Sequence, residues 1–198
     1  LDPDQRLMKP RLGAAGASLE QIRTALAEAG RVAVIGQGTF GNHAAEALGE
    51  LASEEGWRFG SGEKHYAIEH PKLQSSADGI YNRRGFAERG YRFGLLDTLQ
   101  GMVDSGLVKA LVVLHDQDFS SAKETERLLA LLKAVPFSLV LEVAPSELGR
   151  AASAQIPIAT LLEEAGTVTT HDGEPRPYQR ALTAPRGILA AAEVAAEL

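Results

Sequence analysis

The chain has 198 residues, 44% of them hydrophobic and 23% charged, with a formal charge of −6. A chain of this length buries roughly 70% of the surface its unfolded form exposes, so it holds a core without staples. No basic stripe offsets the negative charge, which argues against nucleic acid as a main partner. The absence of cysteine excludes disulfides, thiolate nucleophiles and Cys-ligated iron–sulfur clusters within these residues.

Residues 1–17 contain Pro3, Pro10, Gly13 and Gly16 without periodicity and read as a connector. They hold neither an initiator Met nor a signal-peptide core, which suggests a piece of a longer chain or a processed product. Ser18 and Gln21 form a capping-box pattern ahead of Leu19, Ile22, Leu26 and Ala29, which recur at helical spacing. Gly30 is placed to end that helix in the left-handed conformation. Val32–Ile35 is then a short continuous apolar run, the mark of a strand buried on both faces of a parallel sheet.

An alanine-rich helix is predicted from about Asn42 to Glu55, and a short strand at Trp57–Phe59. Residues 60–94 carry many Gly, Pro, Asn and charged residues and read as an irregular insertion, more often functional than idle. Arg83, Arg84, Arg89 and Arg92, interleaved with Glu88, read first as a solvated loop and second as an anion or partner contact. A helix from Leu95 ends near Gly106, followed by a buried strand at Ala110–Leu114. A capped helix spans Ser121 to Ala134, and Phe137–Val143 is another buried strand. A short helix at 146–152, a brief strand at 156–158 and a final helix at 188–198 complete the pattern. Residues 18–198 thus form one α/β domain: a three-layer, Rossmann-like parallel sheet of about five strands with helices on both faces.

Gly36-x-Gly38-x-x-Gly41 lies between a predicted strand and helix, the setting in which glycines bring a pyrophosphate close to free helix amides. Thr39 and Asn42 add polar side chains there. The acidic ribose anchor expected about 20 residues on is represented only by Glu63, with no solid strand leading to it. His115-Asp116-Gln117-Asp118 follows a strand at the carboxyl edge, where α/β ligands sit, but its spacing is not that of a metal site. Asp118 and Ser120 also suit helix capping. His43, His65 and His70 are scattered, and no serine occupies a nucleophile elbow.

The stretch Ile156–Thr170 resembles the end of the catalytic-fold region of molybdopterin oxidoreductases and of the large NADH-quinone oxidoreductase subunits of the G (chain 3) family. Pro157, Glu163, Gly166 and Thr167 match the family's strand and E-x-x-G-T pattern, while Thr170 stands where the family has Asn. Asp172-Gly173-Glu174 and Arg176…Gln179 are similar to a distorted G-R-x-Q element, with Pro175 and Pro177 intruding. Leu99–Leu114 is similar to the family's helix, G-x-V-K-A-L and strand, and Asn82 and Gly85 match its Asn- and Gly-containing loop. The resemblance covers residues 31–187.

It implies a structural, non-catalytic domain of a respiratory NADH-quinone oxidoreductase subunit, with iron–sulfur clusters held elsewhere in the parent chain and no molybdopterin here. Its implied partners are the other subunits, and its implied place is cytoplasmic, peripheral to the inner membrane without insertion into it. The alternative is a molybdopterin- or NAD(P)-binding domain. Gly36, Gly38, Thr39, Gly41, His115, Asp116, Gly166 and Thr167 are then the cofactor-binding candidates, with no catalytic or metal-ligating residue assigned.

Overall fold

The computed structural model describes residues 6–62, 81–116 and 121–198. The chain enters through a two-strand hairpin, β1 (Arg11–Leu12) and β2 (Ala15–Gly16), and then α1 (Leu19–Ala29). The predicted capping box is present: Gln21 donates its amide to Ser18 Oγ, and the Ser18 amide donates to Gln21 Oε1. Gly30 does take a positive φ, 58°, but its ψ of 179° lies in the extended region that only glycine tolerates, not in the left-handed helical well.

Next come β3 (Val32–Gln37), α2 (Asn42–Glu50), β4 (Arg58–Ser61), α3 (Arg83–Glu88) and β5 (Arg92–Phe93). The second half runs α4 (Leu96–Asp104), β6 (Ala110–His115), α5 (Ala122–Ala134), β7 (Phe137–Glu142), α6 (Glu147–Ala151) and β8 (Ala154–Pro157). A ribbon of β9 (Gly166–Thr169) and β10 (Pro175–Tyr178) precedes α7 (Ala191–Glu197). No helix among the described residues is long and apolar enough to cross a membrane.

Among the described residues the sheet has eight strands, more than the five or so expected, in the order β2-β1-β8-β7-β6-β3-β4-β5. The six from β5 to β8 are parallel, and the β1–β2 hairpin adds antiparallel to β8. The chain builds outward from β3 to β5, crosses back, and builds outward again from β6 to β8. This is the doubly wound order of a Rossmann-like fold.

Residues alternate between the two faces of the sheet, as strand geometry requires. Val34, Val112, Leu139 and Leu141 pack with Ile22 of α1, Leu48 of α2, Phe86 of α3 and Val194 of α7. Ala33, Ile35, Phe59, Leu111, Val113 and Val140 pack with Leu99 of α4, Leu128 and Leu131 of α5, and Leu148 of α6. The continuous apolar runs therefore serve two cores at once.

Several sequence expectations shift, each for a local reason. The stretch read as a connector supplies β1, where Arg11 lies opposite Gln155 and bonds its side-chain oxygen at 2.9 Å. α2 stops at Glu50 rather than Glu55 because Ser53 turns back to β3, accepting the Val32 amide at 2.7 Å and donating its own to the Val32 carbonyl. α7 begins at Ala191 rather than residue 188 because Leu189 is engaged beside Ile158 at the sheet edge. The 60–94 stretch contributes α3 and β5, and its residues 63–80 lie outside the described residues.

The four arginines around α3 stay at the surface, Arg84 and Arg92 exposed and Arg83 and Arg89 half-buried, and each contacts the protein. Arg89 donates to the Gly85 carbonyl at 3.0 Å, Arg92 to the Gly56 carbonyl, and Arg84 to the His171 carbonyl at 2.7 Å. Arg83 stacks 4.4 Å over the Phe93 ring.

Val112 is fully buried in β6, flanked by β3 and β7. An unpaired carboxylate there costs several kcal/mol, a large part of the roughly 5–15 kcal/mol that holds a domain folded. Val112→Asp is expected to abolish the cooperative thermal transition followed by circular dichroism; a wild-type melt would refute the strand assignment.

Candidate functional site

The point where the sheet reverses its building direction lies between β3 and β6, and their carboxyl ends frame the crevice where open α/β sheets bind ligands. The last row of the sheet there is polar on one face. Gln37 of β3 lies opposite Ser61 of β4, and His115 of β6 opposite Glu142 of β7. All four are buried. One row earlier the same face is apolar, with Ile35, Phe59, Val113 and Val140.

A cavity of about 210 Å³ opens at this edge, lined by Thr39, Tyr81, His115, Asp116, Glu142 and Leu161 among others. His115 is 3% exposed and its Nδ1 has no hydrogen-bond partner. Burial disfavours its charged form and pushes its pKa down to about 4. Thr39 is 1% exposed, and its Oγ1 also lacks a partner. Glu142 accepts from the Ser146 amide at 3.2 Å, from Ser146 Oγ and from Gln155 Nε2. Its burial raises the carboxyl pKa, and these bonds offset only part of that rise. The Asp116 amide donates to Gln37 Oε1.

The glycine loop itself is closed by the protein's own groups. A Cβ built on Gly36 would lie 2.5 Å from Phe86 Cε1 and 2.8 Å from Tyr91 Cε1. One on Gly41 would collide with the Tyr178 hydroxyl. The Gly38 carbonyl accepts the Asn82 amide at 2.8 Å, the Thr39 carbonyl accepts the Tyr81 hydroxyl, and the Phe40 carbonyl accepts Asn82 Nδ2 at 2.6 Å. Asn42, the first residue of α2, donates to Thr167 Oγ1 and Thr169 Oγ1, both at 3.1 Å. The Thr169 amide donates to Asn82 Oδ1 at 2.7 Å. The β9–β10 ribbon is thereby clasped to the entrance of α2.

The sequence candidates therefore divide. Thr39, His115 and Asp116 meet at the cavity. Gly36, Gly41, Gly166 and Thr167 serve the packing of the loop and ribbon; a Cβ on Gly166 would strike His43 Nε2. Glu163 takes a two-pronged bond from Arg6 at 2.5 and 2.6 Å and accepts the Thr160 amide at 2.9 Å. Burial alone would raise its pKa, but Arg6 and Thr160 outweigh that and hold it low. Pro175 and Pro177 sit in β10, a strand paired on one side only, where a missing N–H is harmless. Glu63, His65, His70, Gln117, Asp118 and Ser120 lie outside the described residues. Among the described residues no three His, Asp or Glu side chains gather as metal ligands.

Sequence reasoning missed Glu142, Tyr81, Tyr178 and Gln37. For Glu142 a signal existed: it is the one charged residue in the apolar run 137–143. Tyr81, Tyr178 and Gln37 gave none, because their partners are remote in the chain.

Neither a protein-family model nor a curated protein matches this chain.

Two outcomes are expected. Asn82→Ala leaves the Phe40 carbonyl and the Thr169 amide unpaired, and urea unfolding should show a loss of about 3 kcal/mol. His115 stays neutral in the folded state while its unfolded counterpart gains a proton near pH 6.5. Its contribution is whole above pH 6.5 and is lost as pH falls toward 4, by about 3 kcal/mol. Glu142 acts in the opposite sense, losing stability as pH rises above the ordinary carboxyl range. The stability of wild type minus that of His115→Phe, measured by urea unfolding across pH 4–7, isolates the histidine and should fall by about 3 kcal/mol from pH 7 to pH 4.

Proposed function

We propose that this chain is a structural, non-catalytic domain of a respiratory NADH-quinone oxidoreductase subunit of the G (chain 3) family, built on the molybdopterin oxidoreductase fold. The observation that carries the reading is that residues bearing the family resemblance are engaged by the protein's own side chains and backbone. Asn82 holds Thr169, Gly85 leaves room for the Asn42 and Asn82 carboxamides, Thr167 accepts from Asn42, and Glu163 holds Arg6. They are spent on fixing the ribbon to the sheet edge.

A pyrophosphate at a glycine loop needs open backbone and free helix amides. Here Phe86 and Tyr91 cover Gly36, and Tyr178 covers Gly41. These residues do not fit that group, so no step is routed through a dinucleotide or pterin. The domain's work is to hold shape and pack against other subunits. The electron carriers sit in a separate cysteine-rich part of the parent chain, on the cytoplasmic side of the inner membrane.

The doubly wound strand order favours the second reading, a dinucleotide- or pterin-binding domain, because that order is the usual home of such ligands. Calorimetric titration with NADH, NADP and a guanine dinucleotide separates the two. The structural reading expects no saturable heat with any of them. Micromolar binding that Gly38→Val abolishes would replace it with the second. An antibody raised against the chain should also co-precipitate NADH-quinone oxidoreductase activity from solubilised membranes.

A further inference from the structure

We infer that residues 160–187 form a hinged flap that opens as one unit while the two apolar cores stay folded, uncovering Gly41 and the first turn of α2. Such motion goes beyond the proposed function and is independent of it, since it concerns the chain's own segments and no ligand.

The hinge is set by where the stretch begins and ends. Ile158 and Leu189 pair as a parallel bridge, and the Ala159 amide donates to the Leu189 carbonyl at 2.8 Å. The chain between them thus leaves the sheet and returns to it at one point, and can swing without displacing its flanks. Those flanks are firm: Ile158, Ala159 and Ile188 are buried, and the Ile158 amide donates to the Glu142 carbonyl at 3.1 Å.

What fastens the flap is polar. No hydrophobic residue from Thr160 to Gly187 belongs to either apolar core. Leu162 and Leu182 stand 55% and 51% exposed instead. The β9–β10 ribbon pairs with itself and adds no strand to the main sheet. Its main fastenings are Arg6 to Glu163, Asn42 to Thr167 and Thr169, and the Thr169 amide to Asn82. On release, such bonds are exchanged for bonds to water and little apolar surface is exposed, so opening costs far less than unfolding the buried strands.

Internal bonds make the flap one body. The Ala181 and Leu182 amides both donate to the Leu162 carbonyl, at 2.8 and 2.9 Å, and the Tyr178 hydroxyl donates to Glu164 at 2.7 Å. That same hydroxyl covers Gly41. While the fastenings hold, the flap moves with the glycine loop; when they break together, it leaves whole.

Native-state hydrogen exchange on the intact chain, read by nuclear magnetic resonance in low urea, tests this. The Thr169 amide, bonded across the flap's edge to Asn82 Oδ1, reports opening, and the Val112 amide, in β6 between β3 and β7, reports global unfolding. Thr169 should be protected at least about 100-fold less than Val112, and its exchange should barely respond to urea. Glu163→Gln weakens a fastening that both openings break, so it should speed both amides by one factor, about tenfold. Val140→Ala trims the fully buried core, so it should speed Val112 about tenfold and leave Thr169 unchanged. A Thr169 amide as protected and as urea-sensitive as Val112 would overturn the inference. So would Val140→Ala speeding both amides alike, or Glu163→Gln leaving Thr169 unmoved, which would reduce the flap to local fraying.

Discussion

Two carboxamides, Asn42 and Asn82, decide what this fold does with its glycine loop. Each is almost wholly removed from water, so each must find partners inside the protein. Asn82 finds the Phe40 carbonyl on the loop and the Thr169 amide on the ribbon; Asn42 finds the hydroxyls of Thr167 and Thr169. Because both amides bridge separate segments, the loop, α3 and the β9–β10 ribbon cannot move independently. Without this clasp the entrance of α2 would stand open to solvent, and a phosphate could approach it.

The polar last row of the sheet adds a second constraint. A strand buried on both faces gains from apolar side chains along its length, and β3, β6 and β7 carry no polar side chain before their final residue except Ser138 in β7. Gln37, His115 and Glu142 then replace them side by side. Glu142 is satisfied by Ser146 and Gln155, and Gln37 Oε1 by the Asp116 amide. The His115 Nδ1 has no hydrogen-bond partner. The doubly wound topology brings these strand ends together although they lie far apart in the chain.

Much of the scaffold is legible in the sequence, and the reasons are local. Short apolar runs such as Val32–Ile35 and Ala110–Leu114, too brief for a helix and rich in Val and Ile or Leu, suit a buried parallel strand. Ser18 and Gln21 announce their helix by a pairing three residues long. The sequence is silent where partners are distant. The two-residue strand at Arg11–Leu12 has no pattern of its own and exists because β8 offers an unpaired edge. The glycine fingerprint does mark a tight turn between strand and helix. Its occupants, Phe86, Tyr91 and Tyr178, come from segments 45 or more residues away, and no spacing rule reaches them. His115, Asp116 and Thr39 are recognisable because position after a strand is itself a signal. Their common cavity needs the fold.

Both margins of the eight-stranded sheet end in strands only two residues long, Ala15–Gly16 at one side and Arg92–Phe93 at the other. A long bare margin would expose a row of amides and carbonyls on which a second molecule could continue the ladder. Here each margin offers too few backbone groups to template such growth. A domain of this build can stand crowded among neighbours at high local concentration and meet them through side chains, without fusing its sheet to theirs.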